Sequence, residues 1–131
     1  MIRSHLLTVE SALSSYLWVE KVEVVTCRFL ETLEETILIY RFRVNLKNGD
    51  FLEMMERVVS RHEENDFETT TYSFHLQNKK GKIIRRRDNA LHFPDLPGCP
   101  HHIHDGSEKN VIPGKPVTAI EILDEINRII S

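Results

Sequence analysis

Residues suited to chemistry are concentrated in one stretch of the chain, from Arg85 to His104. The stretch contains three consecutive arginines, an adjacent Asp–Asn pair, three of the five prolines and four of the seven histidines. Proline is too frequent there for a helix or a central strand, because it lacks a backbone N–H and fixes φ. A long irregular segment inside a compact domain is usually functional or disordered. We therefore take this stretch as the candidate site, held in place by the rest of the chain.

Histidine and arginine side chains together can cleave a phosphodiester without a metal. Such a ribonuclease needs a base for the 2′-hydroxyl, an acid for the leaving oxygen and a cation for the charge that develops on phosphorus. Imidazole exchanges protons near neutral pH, and the guanidinium fork matches phosphate oxygens. A turn at residues 78–81 brings His75 beside the strand that carries the arginines. The candidate catalytic residues are His75, Arg85, Arg87, Asp88, His92, His101 and His102.

The spacing within the stretch also predicts where its histidines lie. Arg87 ends a strand, and 13 residues separate it from His101. Three prolines stiffen that connection, and the chain must cross back over the sheet to reach its final helix. A route that returns along the strand brings His101 and His102 within reach of Arg85 or Arg87. The sequence thus predicts one cleft, completed by His75 or His92.

Metal binding is an alternative use of the same histidines, with a divalent transition metal such as zinc as the cofactor. On an extended segment, His102 and His104 point the same way and His101 points the opposite way. The alternative ligand set is His92, His102 and His104. An acidic residue in place of His92 is a further option, and the acids in reach are Asp88, Asp95 and Asp105.

Structural roles compete with all of these chemical ones. Arginines on an edge strand usually form solvated ion pairs that contribute little. Asp88 and Asn89 favour turns through local bonds to the backbone, and loop histidines can hydrogen-bond carbonyl groups. The same surface could also belong to a non-enzymatic module that binds protein or nucleic acid.

Length and composition limit the class of protein. The 131 residues predict a single α+β domain over 1–131, and 40% hydrophobic with 28% charged residues is globular composition. The formal net charge of −3 argues against extensive nucleic-acid coating but permits a local basic patch. Two distant cysteines, Cys27 and Cys99, favour reduced thiols. No apolar run approaches the roughly 20 residues of a membrane span, so we expect a soluble, cytoplasmic protein.

Periodicity predicts an antiparallel sheet of about five hairpin-connected strands, flanked by an N-terminal and a C-terminal helix. Apolar residues at helical spacing indicate helices over 4–16 and 118–130. Strands are predicted over 21–30, 38–46, 51–60, 67–77 and 82–87. A helix is the alternative to a strand over 51–60, because Asp50 and Glu53 form a helix capping-box pattern. The preceding Asn48–Gly49 pair favours a hairpin and hence a strand.

The C-terminal half resembles the TumE-like proteins of prokaryotic toxin–antitoxin modules, with the specific resemblance over residues 72–130. It is carried by Tyr72–Gln77, a turn ending in Gly81, Arg87–Ala90, His92, Pro100–His102 and His104. The chain has Phe93 where the family tends to have a second histidine, and Cys99 where it tends to have an aromatic residue. The resemblance implies a toxin whose partner is a cognate antitoxin encoded by a neighbouring gene. RNA is the expected target, and no membrane association is expected.

Overall fold

The computed structural model describes residues 2–64 and 66–130. Within these ranges the chain forms α1 (Ile2–Ser15), β1 (Val19–Glu31), β2 (Glu35–Leu46), β3 (Phe51–Arg61), β4 (Phe67–Gln77), β5 (Ile83–Asp88), β6 (His102–Asp105), β7 (Val111–Pro113) and α2 (Ala119–Ile130). The predicted α+β class, with an antiparallel sheet between two terminal helices, is confirmed. No helix in the described ranges has the length and apolar character needed to cross a membrane.

The strands form one antiparallel sheet in the order of the sequence, from β1 at one edge to β7 at the other. The described residues contain seven strands where the sequence predicted about five. The two additional strands, β6 and β7, arise from residues assigned to a loop. They have only four and three residues, which is too short for an alternating pattern to be recognised.

The ambiguous segment after Gly49 is strand β3, so the helical alternative for residues 51–60 is wrong. β3 lies between β2 and β4, and its hydrogen-bonding groups are used by both neighbours. Gly49 adopts a φ of 91°, which a β-branched residue could not accept in this turn. In the ladder that follows this turn, Val44 pairs with Leu52.

Alternation along the central strands divides the sheet into two faces. The first, here called the helix face, carries buried side chains that pack under α1 and α2. Tyr40, Phe42 and Phe74 are 0%, 2% and 2% exposed. The opposite side, here called the open face, carries the partly exposed residues of the same strands, which are polar side chains together with apolar ones such as Phe51 and Met55.

Candidate functional site

The three arginines of β5 are divided between the two faces. Arg85 pairs with Leu76 and Arg87 with Phe74, so both lie on the helix face. Arg86 pairs with His75 and lies on the open face. The division follows from the two-residue period of a strand, in which successive side chains point to opposite sides. Arg86, which was outside the predicted catalytic set, is therefore the arginine that faces His75.

Arg85 and Arg87 are held by an acid on α2. The Oε1 atom of Glu125 accepts hydrogen bonds from Arg85 and, at 3.2 Å, from Nη2 of Arg87. Arg85 also lies 3.5 Å from Asp105. Burial acts to lower the pKa of Arg85, but its bonds and attraction to Glu125 and Asp105 outweigh that effect and raise it. These two arginines fasten α2 to the sheet.

His101 directly precedes β6 and lies on the helix face beside Tyr72 of β4. Its Nδ1 shares a hydrogen bond of 2.8 Å with the hydroxyl of Tyr72, and the two rings stack at 5.8 Å. Burial raises the pKa of Tyr72 to about 12, with the positive charge of Arg87 opposing and the negative charge of Asp88 adding to the rise. The site of His101 is thus built around a buried phenol.

His102 and His104 point the same way, as their spacing predicted, and both project to the open face. They pair with Asp88 and Arg86 across the β5–β6 ladder. Because His102 lies on the opposite face from Arg85 and Arg87, the predicted single cleft of His101, His102 and these arginines does not form. The physical reason is strand parity: residues one apart in an extended chain point to opposite sides.

The open face instead brings together Asp88, His102 and His104, here called the Asp–His cluster. Their potential ligand atoms lie within 4.8 Å of one another. The three residues are 4%, 2% and 5% exposed. A carboxylate and two imidazoles at this depth form a polar centre in an otherwise closed part of the molecule.

Backbone carbonyl groups fix both imidazoles of the cluster. Nδ1 of His102 lies 3.0 Å from the carbonyl oxygen of Pro100, and Nδ1 of His104 lies 3.0 Å from that of Glu108. A carbonyl oxygen can only accept, so each Nδ1 carries the hydrogen. In the neutral ring each Nε2 then has a free lone pair. Nε2 of His102 lies 2.9 Å from Oδ1 of Asp88 but makes no hydrogen bond of acceptable geometry.

Asp88 is oriented by two further donors. Its Oδ1 accepts the backbone N–H of Ala90 at 3.0 Å, and its Oδ2 accepts Nε–H of Arg86 at 3.1 Å. Asn89 directs the chain away from β5, since its side chain bonds the backbone of Tyr72 and of Thr70. The adjacent Asp–Asn pair therefore ends the strand and also contributes a carboxylate to the cluster.

The loop between β5 and β6 covers the cluster with one aromatic ring. Phe93 meets His102 and His104 edge-on, at centroid distances of 5.0 and 6.1 Å. His92 is exposed and lies outside the cluster. In the alternative metal set of His92, His102 and His104, the place of His92 is taken by Asp88.

An open groove of about 420 Å³ lies beside the cluster on the open face. His75, Arg86 and Asp88 line it together with Arg41 and the apolar Phe51. Nε2 of His75 is 2.8 Å from Oε1 of Gln77. A larger hollow of about 550 Å³ lies between the β1–β2 turn and the β3–β4 turn, but acidic side chains dominate its wall, so it is poorly suited to phosphate.

Comparison with known families identifies the chain. Searches of curated proteins and of solved structures gave no significant match. A family model described as toxin TumE matches residues 14–131, which include the sheet, the Asp–His cluster and the groove. This match confirms the resemblance seen in the C-terminal half and extends it over most of the chain. The chain belongs to the toxin TumE family, and it is the toxin of a toxin–antitoxin module.

Proposed function

We propose that this toxin cleaves RNA on the open face of its sheet, as a metal-independent ribonuclease that uses His75 and Arg86. The observation that supports this most is the direct pairing of His75 with Arg86 across β4 and β5, within the open groove. One strand pair thereby offers an imidazole and a guanidinium to the same ligand. Phe51, on the groove wall, offers a ring on which a base can stack.

The hydrogen bond to Gln77 prepares His75 as a base. With the amide oxygen of Gln77 as acceptor, Nε2 carries the hydrogen and Nδ1 has the free lone pair. Nδ1 takes the proton of the 2′-hydroxyl as the 2′-oxygen attacks phosphorus. The bond from phosphorus to the 5′-oxygen breaks, and that oxygen receives a proton from the imidazolium or from water. The products are a 2′,3′-cyclic phosphate and a free 5′-hydroxyl.

Arg86 is the cation that stabilises the charge developing on phosphorus. In the free protein it is held by Asp88 at 3.1 Å and Glu108 at 3.6 Å, and its side chain is 35% exposed. These contacts orient the guanidinium while leaving part of its fork for phosphate oxygens. His92, exposed on the loop, is the candidate for a second proton-transfer group.

The predicted catalytic residues that lie on the helix face have structural roles in this proposal. Arg85 and Arg87 are ion-paired with Glu125 and hold α2, so their charge is already compensated on the helix face. His101 is engaged by Tyr72 on the same side. Asp88 and His102 support Arg86 from the cluster and do not act on RNA themselves.

Purified toxin incubated with RNA in the presence of a chelator tests the proposal. We expect cleavage that falls about 100-fold or more in His75→Ala and in Arg86→Ala. His62→Ala and Arg61→Ala, which change the same residue types at the distant β3–β4 turn, should keep wild-type activity. If wild type leaves RNA intact while still arresting growth, the surface is a binding site without chemistry. Full activity in His75→Ala would refute the role of His75.

The family implies a cognate antitoxin, and we propose that it covers the edge strand β1. Val22, Val24 and Cys27 pair with buried residues of β2 and so face the same side as the core. All three are exposed, although α1 reaches β1 through Arg3, which lies over the ring of Phe29. Four of the large exposed hydrophobic side chains of the described residues, Val22, Val24, Val25 and Leu30, belong to this strand. An apolar partner segment that adds to the sheet edge fits such a surface.

Co-expression with the product of the neighbouring gene tests this contact. We expect Val24→Asp to abolish copurification, because it places a charge in the contact, whereas His75→Ala should copurify normally. Normal copurification of Val24→Asp would exclude β1 as the antitoxin site.

A further inference from the structure

We infer that Asp88, His102 and His104 form a binding site for one divalent transition metal ion, with zinc the best chemical fit. The site lies next to the proposed His75–Arg86 pair, to which Asp88 is joined by its hydrogen bond from Arg86. Its ligands come from β5 and β6.

The donor set suits zinc. Two imidazole nitrogens and one carboxylate oxygen are a common three-residue zinc ligand set, and imidazole selects transition metals over magnesium and calcium. Metal-bound histidines almost always donate the other ring N–H to a carbonyl or carboxylate, which fixes the tautomer. Both histidines of the cluster already do so, through Pro100 and Glu108. Each ring is thus set to present Nε2 as a ligand.

The contact between His102 and Asp88 leaves a buried nitrogen without a partner. Nε2 of His102 lies 2.9 Å from Oδ1 of Asp88. Nε2 is fully buried and has no hydrogen-bond partner among the described residues. A buried unsatisfied nitrogen is costly. A metal ion bound by both atoms removes this cost. Arg86 does not reach Nε2, because its own bond is to Oδ2 of Asp88.

The spacing of the donors is close to what zinc requires. Tetrahedral zinc with bonds of about 2.0–2.1 Å holds its ligand atoms about 3.4 Å apart. The cluster atoms lie within 4.8 Å of one another, and Nε2 of His102 is 2.9 Å from Oδ1 of Asp88. Small rotations of the side chains therefore complete three corners of a tetrahedron. The fourth corner is left to a ligand from outside the protein.

Burial indicates what the ion does for the fold. The ligand residues are 2–5% exposed, and Phe93 packs on both imidazoles. Asp88 and His102 border the irregular segment 89–101, so an ion between them closes this loop against the sheet. Metal ligation of this kind contributes directly to folding free energy.

Metal titration of the purified full chain tests the inference. Protein dialysed against a chelator is titrated with Zn²⁺ by calorimetry and with Co²⁺ by visible absorption. We expect one equivalent of each ion to bind, with a cobalt spectrum of tetrahedral character. Asp88→Asn and His104→Ala should weaken binding about 100-fold or more. His92→Ala, an exposed histidine of the same segment, and His75→Ala, in the neighbouring groove, should bind as wild type.

Binding does not depend on RNA, so its outcome is distinct from that of the proposed nuclease. Circular dichroism of each variant shows whether loss of metal reflects loss of fold. If both ligand variants are unfolded, nitrogen NMR of the imidazoles in the wild-type protein is the test instead. When Zn²⁺ is added, two rings should keep the hydrogen on Nδ1 and show a metal-bound Nε2. Absence of zinc binding at micromolar concentration, wild-type affinity in folded His104→Ala, or equal loss in His92→Ala would overturn the inference.

Discussion

Two glutamates of β3 provide a test of how burial sets the value of a charged contact. Glu56 is 1% exposed on the helix face. Its carboxylate accepts the Tyr40 hydroxyl, lies 2.9 Å from Nε2 of His5 and 3.3 Å from the Thr69 hydroxyl. Four separate elements, α1, β2, β3 and β4, therefore meet at one buried carboxylate.

Glu53 is the matched residue on the open face of the same strand. It forms ion pairs with Arg41 and Arg43, its side chain is 25% exposed, and those of the arginines are 38% and 49% exposed. Solvent screens these pairs, so their loss should cost at most about 1 kcal/mol. Both glutamates thus have partners, but only those of Glu56 are shielded from solvent. Water therefore cannot replace the contacts of Glu56 when they are lost.

We expect Glu56→Ala to lower the free energy of unfolding by about 3–5 kcal/mol. The change leaves the hydroxyl of Tyr40 unsatisfied in the core, at about 1–3 kcal/mol, and adds the cost of a cavity and of breaking a buried network. Glu56→Gln keeps the shape and one acceptor, so we expect a loss of about 1–3 kcal/mol.

Urea unfolding followed by circular dichroism and by fluorescence of Trp18, the single tryptophan, gives these values. At roughly 3–5 °C per kcal/mol for a chain of this size, Glu56→Ala should also lower Tm by about 10–20 °C. The order should be Glu56→Ala, then Glu56→Gln, then Glu53→Ala. Equal losses for Glu56→Ala and Glu53→Ala would refute the reasoning that burial decides the cost.

Three further predictions concern the helix-face contacts and the loop. Glu125→Gln should cost about 1.5–3 kcal/mol, because Arg85 and Arg87 lose their shared charged acceptor; unchanged stability in urea would contradict this. The folded-state pKa of Tyr72 is raised from 10.0 to about 12, so the unfolded chain releases this proton first as pH rises. Stability is therefore complete below pH 10 and falls towards pH 12, and Tyr72→Phe should flatten that fall in a pH series of unfolding curves. Phe93→Ala should uncover the Asp–His cluster and speed amide exchange over residues 102–105, whereas Leu91→Ala, which truncates an exposed neighbour, should not.

The central strands were predictable because their side chains alternate strictly. β4 was predicted at its observed limits, and β2 and β3 within a few residues, since every second side chain enters the core. The short strand β6 could not be found this way, because its sequence of two histidines, an isoleucine and an aspartate resembles a polar loop. Its position depends on pairing with β5, which is a long-range contact.

Strand parity explains which site residues were placed correctly. The common direction of His102 and His104 follows from their spacing alone and was predicted. Which of the arginines faces His75 depends on the register between β4 and β5, and spacing within one strand does not give that register. That ladder contains an irregularity between Leu76 and Gln77, which sequence periodicity does not reveal. A shift of one residue moves a whole strand to the other face, so the facing arginine is Arg86.

The sequential order of the strands has a consequence for how the toxin folds during its synthesis on the ribosome. Each strand pairs with the one synthesised just before it, so the sheet can grow hairpin by hairpin during translation. α2 is synthesised after every strand, and it covers Leu52, Phe74 and Leu76 and brings Glu125 to the arginines. A nascent chain that lacks this helix exposes the apolar side of its sheet. The toxin therefore completes its core only late in synthesis, which leaves an interval for a partner or a chaperone to meet the chain first.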